Sequence, residues 1–148
     1  MDKSMKRTIL ALATLLAALT LQAGERAISF NKLPRKAQTF ITNHFGALAI
    51  SHIVKDKEVT HTDYEVHFTN GTNIDFRGNG TWKHIEVRGQ EAIPTVILPE
   101  SIVNYLAANH AGARVVEVER DRGEYELKIS GGVELSFDHN GRFRWYED

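Results

Sequence analysis

Apolar and polar residues alternate through residues 64–68 of this chain, so that Tyr64, Val66 and Phe68 share one face and the residues between them share the other. A period of two is typical of a β-strand with one side on the core and the other in solvent. A similar alternation recurs at residues 125–129. The pattern therefore predicts two strands with related surroundings.

The recurrence extends over a longer segment, because residues 64–80 align with residues 125–141 at a constant separation of 61 positions. The recurring residues are mainly turn-forming and aromatic ones, which maintain a fold, whereas a catalytic site would repeat reactive side chains. We therefore interpret the segment as a structural repeat. Its identical pairs are Tyr64/Tyr125, Glu65/Glu126, Gly71/Gly132, Phe76/Phe137, Asn79/Asn140 and Gly80/Gly141.

A predicted amphipathic helix precedes each of these segments. Pro34 is followed by apolar residues at helical spacing up to Gly46. Proline fits the first turn of a helix, where its missing N–H costs nothing, and glycine fits the end. The pattern predicts a helix over residues 34–45, and Pro99 begins a similar pattern that continues to Gly112.

The turn after the first alternating strand can be predicted from the faces of the strands that it joins. Residues opposite each other in an antiparallel pair share a face, so core residues should oppose core residues. A three-residue loop at 69–71, with its glycine at positive φ, meets this condition. It sets Val66 opposite Ile74 and Tyr64 opposite Phe76. A two-residue loop would set a core residue opposite a polar one.

The next turn, at residues 78–80, leaves two alternatives open. A three-residue loop pairs Phe76 with Trp82. A two-residue loop pairs Ile74 with Ile85 and puts Trp82 on the other face. The pattern therefore does not determine the side of the sheet on which Trp82 lies.

Two copies of one helix plus four antiparallel strands predict an α+β fold. One helix covers a four-stranded sheet thinly, so we expect the copies to join edge to edge as one broad antiparallel sheet with both helices on one face. We predict a single pseudo-symmetric domain over residues 24–148, with repeat one at about 33–87 and repeat two at about 98–148. The predicted strands are residues 50–55, 64–68, 72–77 and 81–87, with a polar loop at 56–63, and then residues 113–119 and three more strands to the C-terminus.

Residues 1–23 are predicted to be a signal peptide. Three basic residues precede an apolar run over residues 8–21, and Ala23 is a small residue at the expected cut. The run is shorter than the about 20 residues that a membrane-spanning helix needs. We therefore expect cleavage near Ala23, no membrane anchor, and a periplasmic or secreted mature protein.

Composition narrows the class of protein further. The 148-residue chain contains no cysteine, so it carries neither a lipid-bearing cysteine nor a disulfide. Removal of residues 1–23 leaves 15 Lys and Arg against 18 Asp and Glu, a formal charge of −3. A nucleic-acid-binding domain would be basic, so we expect no nucleic-acid partner.

Four short motifs follow one another in the first half of the chain: Leu33-Pro34 before a helix, Tyr64-Glu65-Val66 before a glycine turn, Ile74-Asp75-Phe76, and Asn79-Gly80-Thr81-Trp82. Their order resembles that of the PepSY-like family of exported bacterial proteins, whose fold is likened to that of the β-lactamase inhibitor protein. The resemblance covers residues 33–148. It implies a tandem helix-plus-four-strand fold in the cell envelope and a non-enzymatic role in binding or inhibiting other proteins, with no catalytic residues to carry over.

The residues that could carry chemistry do not form a recognisable site. None of the seven histidines forms a helical His-x-x-x-His pair, although His52 and His67 could share the solvent face of adjacent strands. We favour scattered, solvent-exposed histidines over a metal site. No serine lies in a nucleophile motif, and no glycine-rich turn leads into a phosphate-binding helix. We therefore predict no catalytic residues, no cofactor and no metal.

Aromatic residues and the solvent face of the sheet are better candidates for function, because Trp and Tyr are enriched at protein interfaces. We predict an exported, non-enzymatic binding module that inhibits or regulates another envelope or secreted protein. The alternative is a small-ligand or metal-binding sensor of the periplasm. The candidate partner-binding surface comprises Trp82, Trp145, Tyr146, His67, Asp75, Arg77, Lys128 and Arg144.

Overall fold

The computed structural model describes residues 20–147, in which the chain forms two α-helices and one sheet of nine β-strands. Each strand is hydrogen-bonded to the next strand in sequence, and all of these pairs are antiparallel. The helices are α1 (Arg35–Phe45) and α2 (Glu100–Asn109), each preceded by a short 3-10 turn, Phe30–Lys32 and Thr95–Ile97. The strands are β1 (Glu25–Ile28), β2 (Ile50–Lys57), β3 (Thr62–Phe68), β4 (Asn73–Arg77), β5 (Trp82–Glu86), β6 (Val115–Asp121), β7 (Glu124–Ile129), β8 (Glu134–Phe137) and β9 (Phe143–Glu147).

Both helices pack on the same face of the sheet. Helix α1 buries Ala37, Ile41 and Phe45, and α2 buries Ile102 and Leu106. These side chains form one continuous hydrophobic core with the apolar residues of a single sheet face. Within residues 20–147, the opposite face has no helix over it. Many charged residues of the strands lie on that uncovered side, whereas Arg120 lies on the helix side, against Trp82.

The helices begin where the sequence predicts. Pro34 and Pro99 stand immediately before α1 and α2, with φ angles of −53° and −55°. A proline at this place lacks only an N–H that the helix could not use, and its fixed φ suits the first turn. Helix α1 ends at Phe45, directly before Gly46.

The turn between β3 and β4 has the three-residue form that the faces of the strands predict. Val66 lies opposite Ile74 and Tyr64 lies opposite Phe76, so core residues face core residues. Gly71 adopts a φ of +87°, which an L side chain rarely tolerates. The prediction for this turn is confirmed.

The turn between β4 and β5 contains a β-bulge that satisfies both of the alternative pairings. Phe76 pairs with Trp82, and Ile74 pairs with Ile85, because the register shifts by one residue between them. The extra residue is Lys83. A bulge sets two residues on one strand against one on its neighbour, so both apolar pairs stay on the core face. Trp82 therefore lies on the helix-covered side.

The chain has a mixed α/β fold with one strand more than the eight that the pattern predicted. The additional strand, β1, pairs with β2 and sets Ala27 opposite Val54 and Ile28 opposite Ile53. Four residues are too few to reveal a period of two in sequence. The predicted polar loop at 56–63 was too long, because β2 and β3 extend into it and leave only residues 58–61 between them. The predicted signal peptide lies largely outside the described residues, which begin at residue 20.

Candidate functional site: the open face of the sheet

We define the open face as the sheet surface opposite the two helices. Cross-strand partners in an antiparallel sheet share a face, so the register identifies its members. One row across it consists of Val54, Glu65, Asp75, His84, Glu119, Glu126, Ser136 and Trp145. A second, parallel row consists of His52, His67, Asn73, Glu86, Glu117, Lys128 and Glu134.

At the centre of the open face, His84 is held between two carboxylates. Its Nε2 lies 2.8 Å from Glu117 Oε1, and its Nδ1 lies 3.4 Å from Asp75 Oδ2. The interaction with Asp75, followed by that with Glu117, outweighs the effect of burial and raises the pKa of His84 to about 9. The ring is therefore an imidazolium at neutral pH, and it links β4 and β5 to β6.

Carboxylates dominate the open face on strands β6 to β8. Burial opposes the ionisation of Glu117, but the hydrogen bond from His84 and the charges of His84 and Lys128 lower its pKa. Lys128 Nζ also lies 3.1 Å from Glu134 Oε1. These side chains surround a shallow depression of about 90 Å³ with Glu119 and Glu126 at its border. Pockets for small organic ligands usually measure about 300 to 1,000 Å³, so this depression is too small for one.

Two histidines form a stacked pair near the β1 side of the open face. His52 and His67 are direct cross-strand partners, with ring centroids 4.4 Å apart and ring planes 12° apart. His67 Nδ1 lies 2.8 Å from Asn73 Oδ1, and His52 Nδ1 lies 3.1 Å from Ser51 Oγ. His67 Nε2 lies 3.5 Å from a carboxylate oxygen of Glu65. The Nδ1 atom of each ring therefore has a hydrogen-bond partner: Ser51 on the same strand for His52, and Asn73 on the neighbouring strand for His67.

Strand β9 places Trp145 at the far end of the open face, with 43% of its surface exposed. The guanidinium carbon of Arg144 lies 4.4 Å from the Trp145 ring centroid, and Arg144 also donates to Glu124 at 3.0 Å. Tyr146 points to the helix side, where its hydroxyl lies 2.9 Å from that of Tyr105. Trp145 and Tyr146 therefore lie on opposite sides of the sheet, and only Trp145 belongs to the open face.

Trp82 does not belong to the open face. It is 4% exposed and packs in the core beside Phe40, with ring centroids 6.2 Å apart. The guanidinium carbon of Arg120 lies 3.9 Å from the Trp82 ring centroid. A buried side chain offers no contact to a partner, so Trp82 is not part of the candidate surface. Its direct cross-strand partner is the core residue Phe76, and the bulge at Lys83 lets Ile85 face the core as well.

The open face brings together six of the eight predicted surface residues. Arg77 is one of them, and its Nη2 lies 3.3 Å from Asp121 Oδ1 on β6. The sequence did not single out the central position of His84, because the register of β5 depends on the bulge. A β-bulge that keeps both apolar pairs, Phe76 with Trp82 and Ile74 with Ile85, would have placed His84 beside Asp75 on the open face. The six residues are His67, Asp75, Arg77, Lys128, Arg144 and Trp145.

Two kinds of feature are absent from the described part of the chain. Over residues 20–147, no three or more His, Asp or Glu side chains converge as a set that could hold a metal ion. Over the same range, neither helix has the length and apolar character to cross a bilayer.

A large part of the chain matches a known family. Residues 62–144, more than half of the chain, match the family described as "Putative beta-lactamase-inhibitor-like, PepSY-like". The chain therefore belongs to the PepSY-like family, as its motifs predicted. No curated protein sequence matches it.

Three solved structures are similar to this chain over almost their whole length. A "putative calcium-regulated periplasmic protein" of Bacteroides thetaiotaomicron is 30% identical, with a TM-score of 0.79 and coverage of 84% of this chain and 97% of that one. A "putative periplasmic protein" of the DUF2874 family from Bacteroides vulgatus is 30% identical, with a TM-score of 0.80 and coverage of 86% and 100%. A "putative periplasmic protein of unknown function", also from Bacteroides vulgatus, is 31% identical, with a TM-score of 0.78 and coverage of 84% and 100%. All three relatives are described as periplasmic, and none of the descriptions names an enzymatic activity.

Proposed function

We propose that this protein is an exported, non-enzymatic binding module that inhibits or regulates another protein of the cell envelope or the secreted fraction. The observation that carries this proposal is the open face, a broad nine-stranded surface with charged rows and an exposed Trp145 at one end. A rigid sheet presents such side chains at fixed spacing, which favours recognition of another folded surface. Periplasmic relatives support the proposed location.

We further propose that export removes residues 1–23, and that the two helix-plus-four-strand units are tandem copies of one unit. Every described helix and strand begins at or after Glu25, so cleavage after Ala23 would remove none of these elements. N-terminal sequencing of the exported protein should begin at Gly24. Retention of the first 23 residues on the exported chain would contradict the cleavage site.

Cross-linking in the native envelope tests the proposed binding role. The mature protein, purified after cross-linking of intact cells, should bring down one protein in stoichiometric amount. Reversal of charge at Glu119 and Glu126 should reduce the yield, because both are exposed on the open face. A control variant with lysines introduced at two exposed helix positions, Thr39→Lys and Asn104→Lys, should not. No cross-linked protein, or equal loss in both variants, would overturn the proposal.

The alternative, a small-ligand or metal-binding sensor, is favoured by one specific observation, the stacked pair of His52 and His67. Calorimetry with zinc, copper and nickel tests this alternative, and one relative is described as calcium-regulated, so calcium belongs in the same series.

A screen of hydrolase substrates tests the non-enzymatic part of the proposal. Activity above that of buffer alone would contradict it.

A further inference from the structure

We propose that His52 and His67 form a two-histidine site for a divalent first-row transition metal ion, with Cu²⁺ bound most tightly. The two residues are direct cross-strand neighbours on the open face, and their rings are separated by 4.4 Å between centroids. Imidazole is a preferred ligand of copper, zinc and nickel. The site develops the metal-binding alternative given above, and because it does not need the proposed protein partner, either proposal can fail alone.

The hydrogen bonds of the two rings leave the same atom available in each. The Asn73 side-chain oxygen can only accept, so His67 donates to it through Nδ1–H over 2.8 Å. We assign the same tautomer to His52, whose Nδ1–H then donates to the Ser51 hydroxyl oxygen at 3.1 Å. Histidines that bind metals usually donate one ring N–H to a neighbouring oxygen and bind the ion through the other nitrogen. Nε2 is therefore the coordinating atom that both rings offer.

The Glu65 carboxylate makes the position attractive to a cation. Its Oε2 lies 3.5 Å from His67 Nε2, which carries a lone pair when the ring is neutral and protonated on Nδ1. Two acceptors then face each other, and a positive ion near them relieves the repulsion.

The site has two protein nitrogens, and water completes the coordination of the ion. Both histidines are partly exposed, so water has access without a change of the backbone. The rings are almost parallel, with their planes 12° apart, and rotation about the side-chain torsions is needed to direct both Nε2 atoms at one ion. Glu65, whose Oε2 lies 3.5 Å from His67 Nε2, supplies a negative charge beside the site.

Calorimetric titration of untagged residues 24–148, which contain every described element, tests the site with Cu²⁺, Zn²⁺, Ni²⁺ and Ca²⁺ used one at a time. We expect one equivalent of Cu²⁺ to bind more tightly than Zn²⁺ or Ni²⁺, in the order typical of nitrogen ligands. His52→Gln and His67→Gln should each weaken Cu²⁺ binding by at least about tenfold. His61→Gln is the matched control, because His61 is exposed beside a carboxylate, 3.5 Å from Asp63, and should leave the affinity unchanged.

Nuclear magnetic resonance of the unmodified protein provides a test that needs no variant. Substoichiometric Zn²⁺ should shift the ring signals of His52 and His67 at a lower metal concentration than those of the other histidines. Three results would each overturn the proposal. The first is a Cu²⁺ affinity no tighter than millimolar, and the second is undiminished Cu²⁺ binding in either glutamine variant. The third is a shift of another histidine's ring signals at a lower Zn²⁺ concentration. The proposal would also be overturned if Ca²⁺ bound to the protein and His67→Gln abolished that binding. Calcium prefers oxygen ligands, so the site would then not be selective for transition metals.

Discussion

The His84 imidazole donates a 2.8 Å hydrogen bond from Nε2 to Glu117 Oε1 across the junction of β5 and β6. This junction joins the strands that follow α1 to the strands that follow α2, and its paired register extends over only three residue pairs. Because Asp75 also contacts the ring at 3.4 Å, His84 connects three adjacent strands on the open face. A charged hydrogen bond of this kind is stronger than a neutral one and should contribute to holding the two parts of the sheet together.

The stability of the protein should depend on pH through His84. Its pKa is raised from 6.5 to about 9 on folding, so its stabilising effect is complete below about pH 6.5 and is lost as pH rises through 9. Replacement by His84→Gln should lower the free energy of unfolding by roughly 1 to 3 kcal/mol at pH 6. Urea denaturation at a series of pH values measures both effects.

The difference in stability between the wild-type protein and the His84→Gln variant should shrink as the pH rises from about 6.5 to above 9. The His61→Gln variant is a suitable control, since the exposed His61 side chain lies 3.5 Å from Asp63, away from the junction of β5 and β6. A difference that stays constant over this range would show that His84 acts through packing and not through its charge.

The two equivalent phenylalanines of the recurring segments should be equally important for stability. Phe76 and Phe137 are both 0% exposed in the core. Truncation of a buried phenylalanine to alanine typically costs about 3 to 5 kcal/mol. We expect Phe76→Ala and Phe137→Ala each to fall in this range by urea denaturation, and Val59→Ala to be neutral, because Val59 is fully exposed. A near-neutral effect of either phenylalanine variant would contradict the core described above.

Arg120 should stabilise the junction from the helix side of the sheet. Its Nε donates to the Trp82 carbonyl at 2.7 Å, and its guanidinium carbon lies 3.9 Å from the indole centroid. Arg120→Met should cost about 1 to 3 kcal/mol, from the hydrogen bond and the cation–π contact together. Arg120→Lys keeps the positive charge but loses the planar guanidinium group, so its loss of stability should be smaller than that of Arg120→Met. Equal stability of the lysine variant and the wild-type protein would assign the effect to charge alone.

Gly80 should tolerate substitution less well than Gly89. Both have positive φ, +85° and +66° respectively, so an alanine at either place costs about 1 kcal/mol of backbone strain. A Cβ at Gly80 would also lie 3.0 Å from Pro34 Cβ and 3.1 Å from the Ala37 backbone nitrogen, whereas nothing lies within 4 Å of one at Gly89. Denaturation should therefore show Gly80→Ala to be the less stable variant. Equal stabilities would show that the start of α1 adjusts to the added methyl group.

The helices and most strands were predictable because the spacing of apolar residues indicates directly which side chains are buried. The register of β3 and β4 followed from face-matching of Val66 with Ile74. The bulge at Lys83 was not predictable in this way, since each simple turn satisfied only one of two apolar pairs and the structure satisfies both. Strand β1 was missed because its hydrogen bonds to β2, and not its side-chain pattern, define it.

The candidate site was less accessible to sequence reasoning than the core. Membership of the open face follows from the register, so most of the predicted surface residues lie together as expected. The contacts between them depend on side-chain reach across strands. The ring of His84 extends diagonally from its direct partner Glu119 to Glu117, and no sequence spacing encodes that choice. Likewise, the stacking of His52 on His67 depends on the shift in register that follows Ile50.

Site-specific photo-cross-linking in living cells tests the binding role of the open face most directly. A photoreactive amino acid is placed singly at Glu119 or Glu126 on the open face, and at Thr39 or Asn104 on the exposed sides of the helices. We predict that the open-face positions form an adduct with one and the same envelope or secreted protein, and that the helix positions do not. Adducts of equal or greater yield from the helix positions, or none from the open face, would contradict the account.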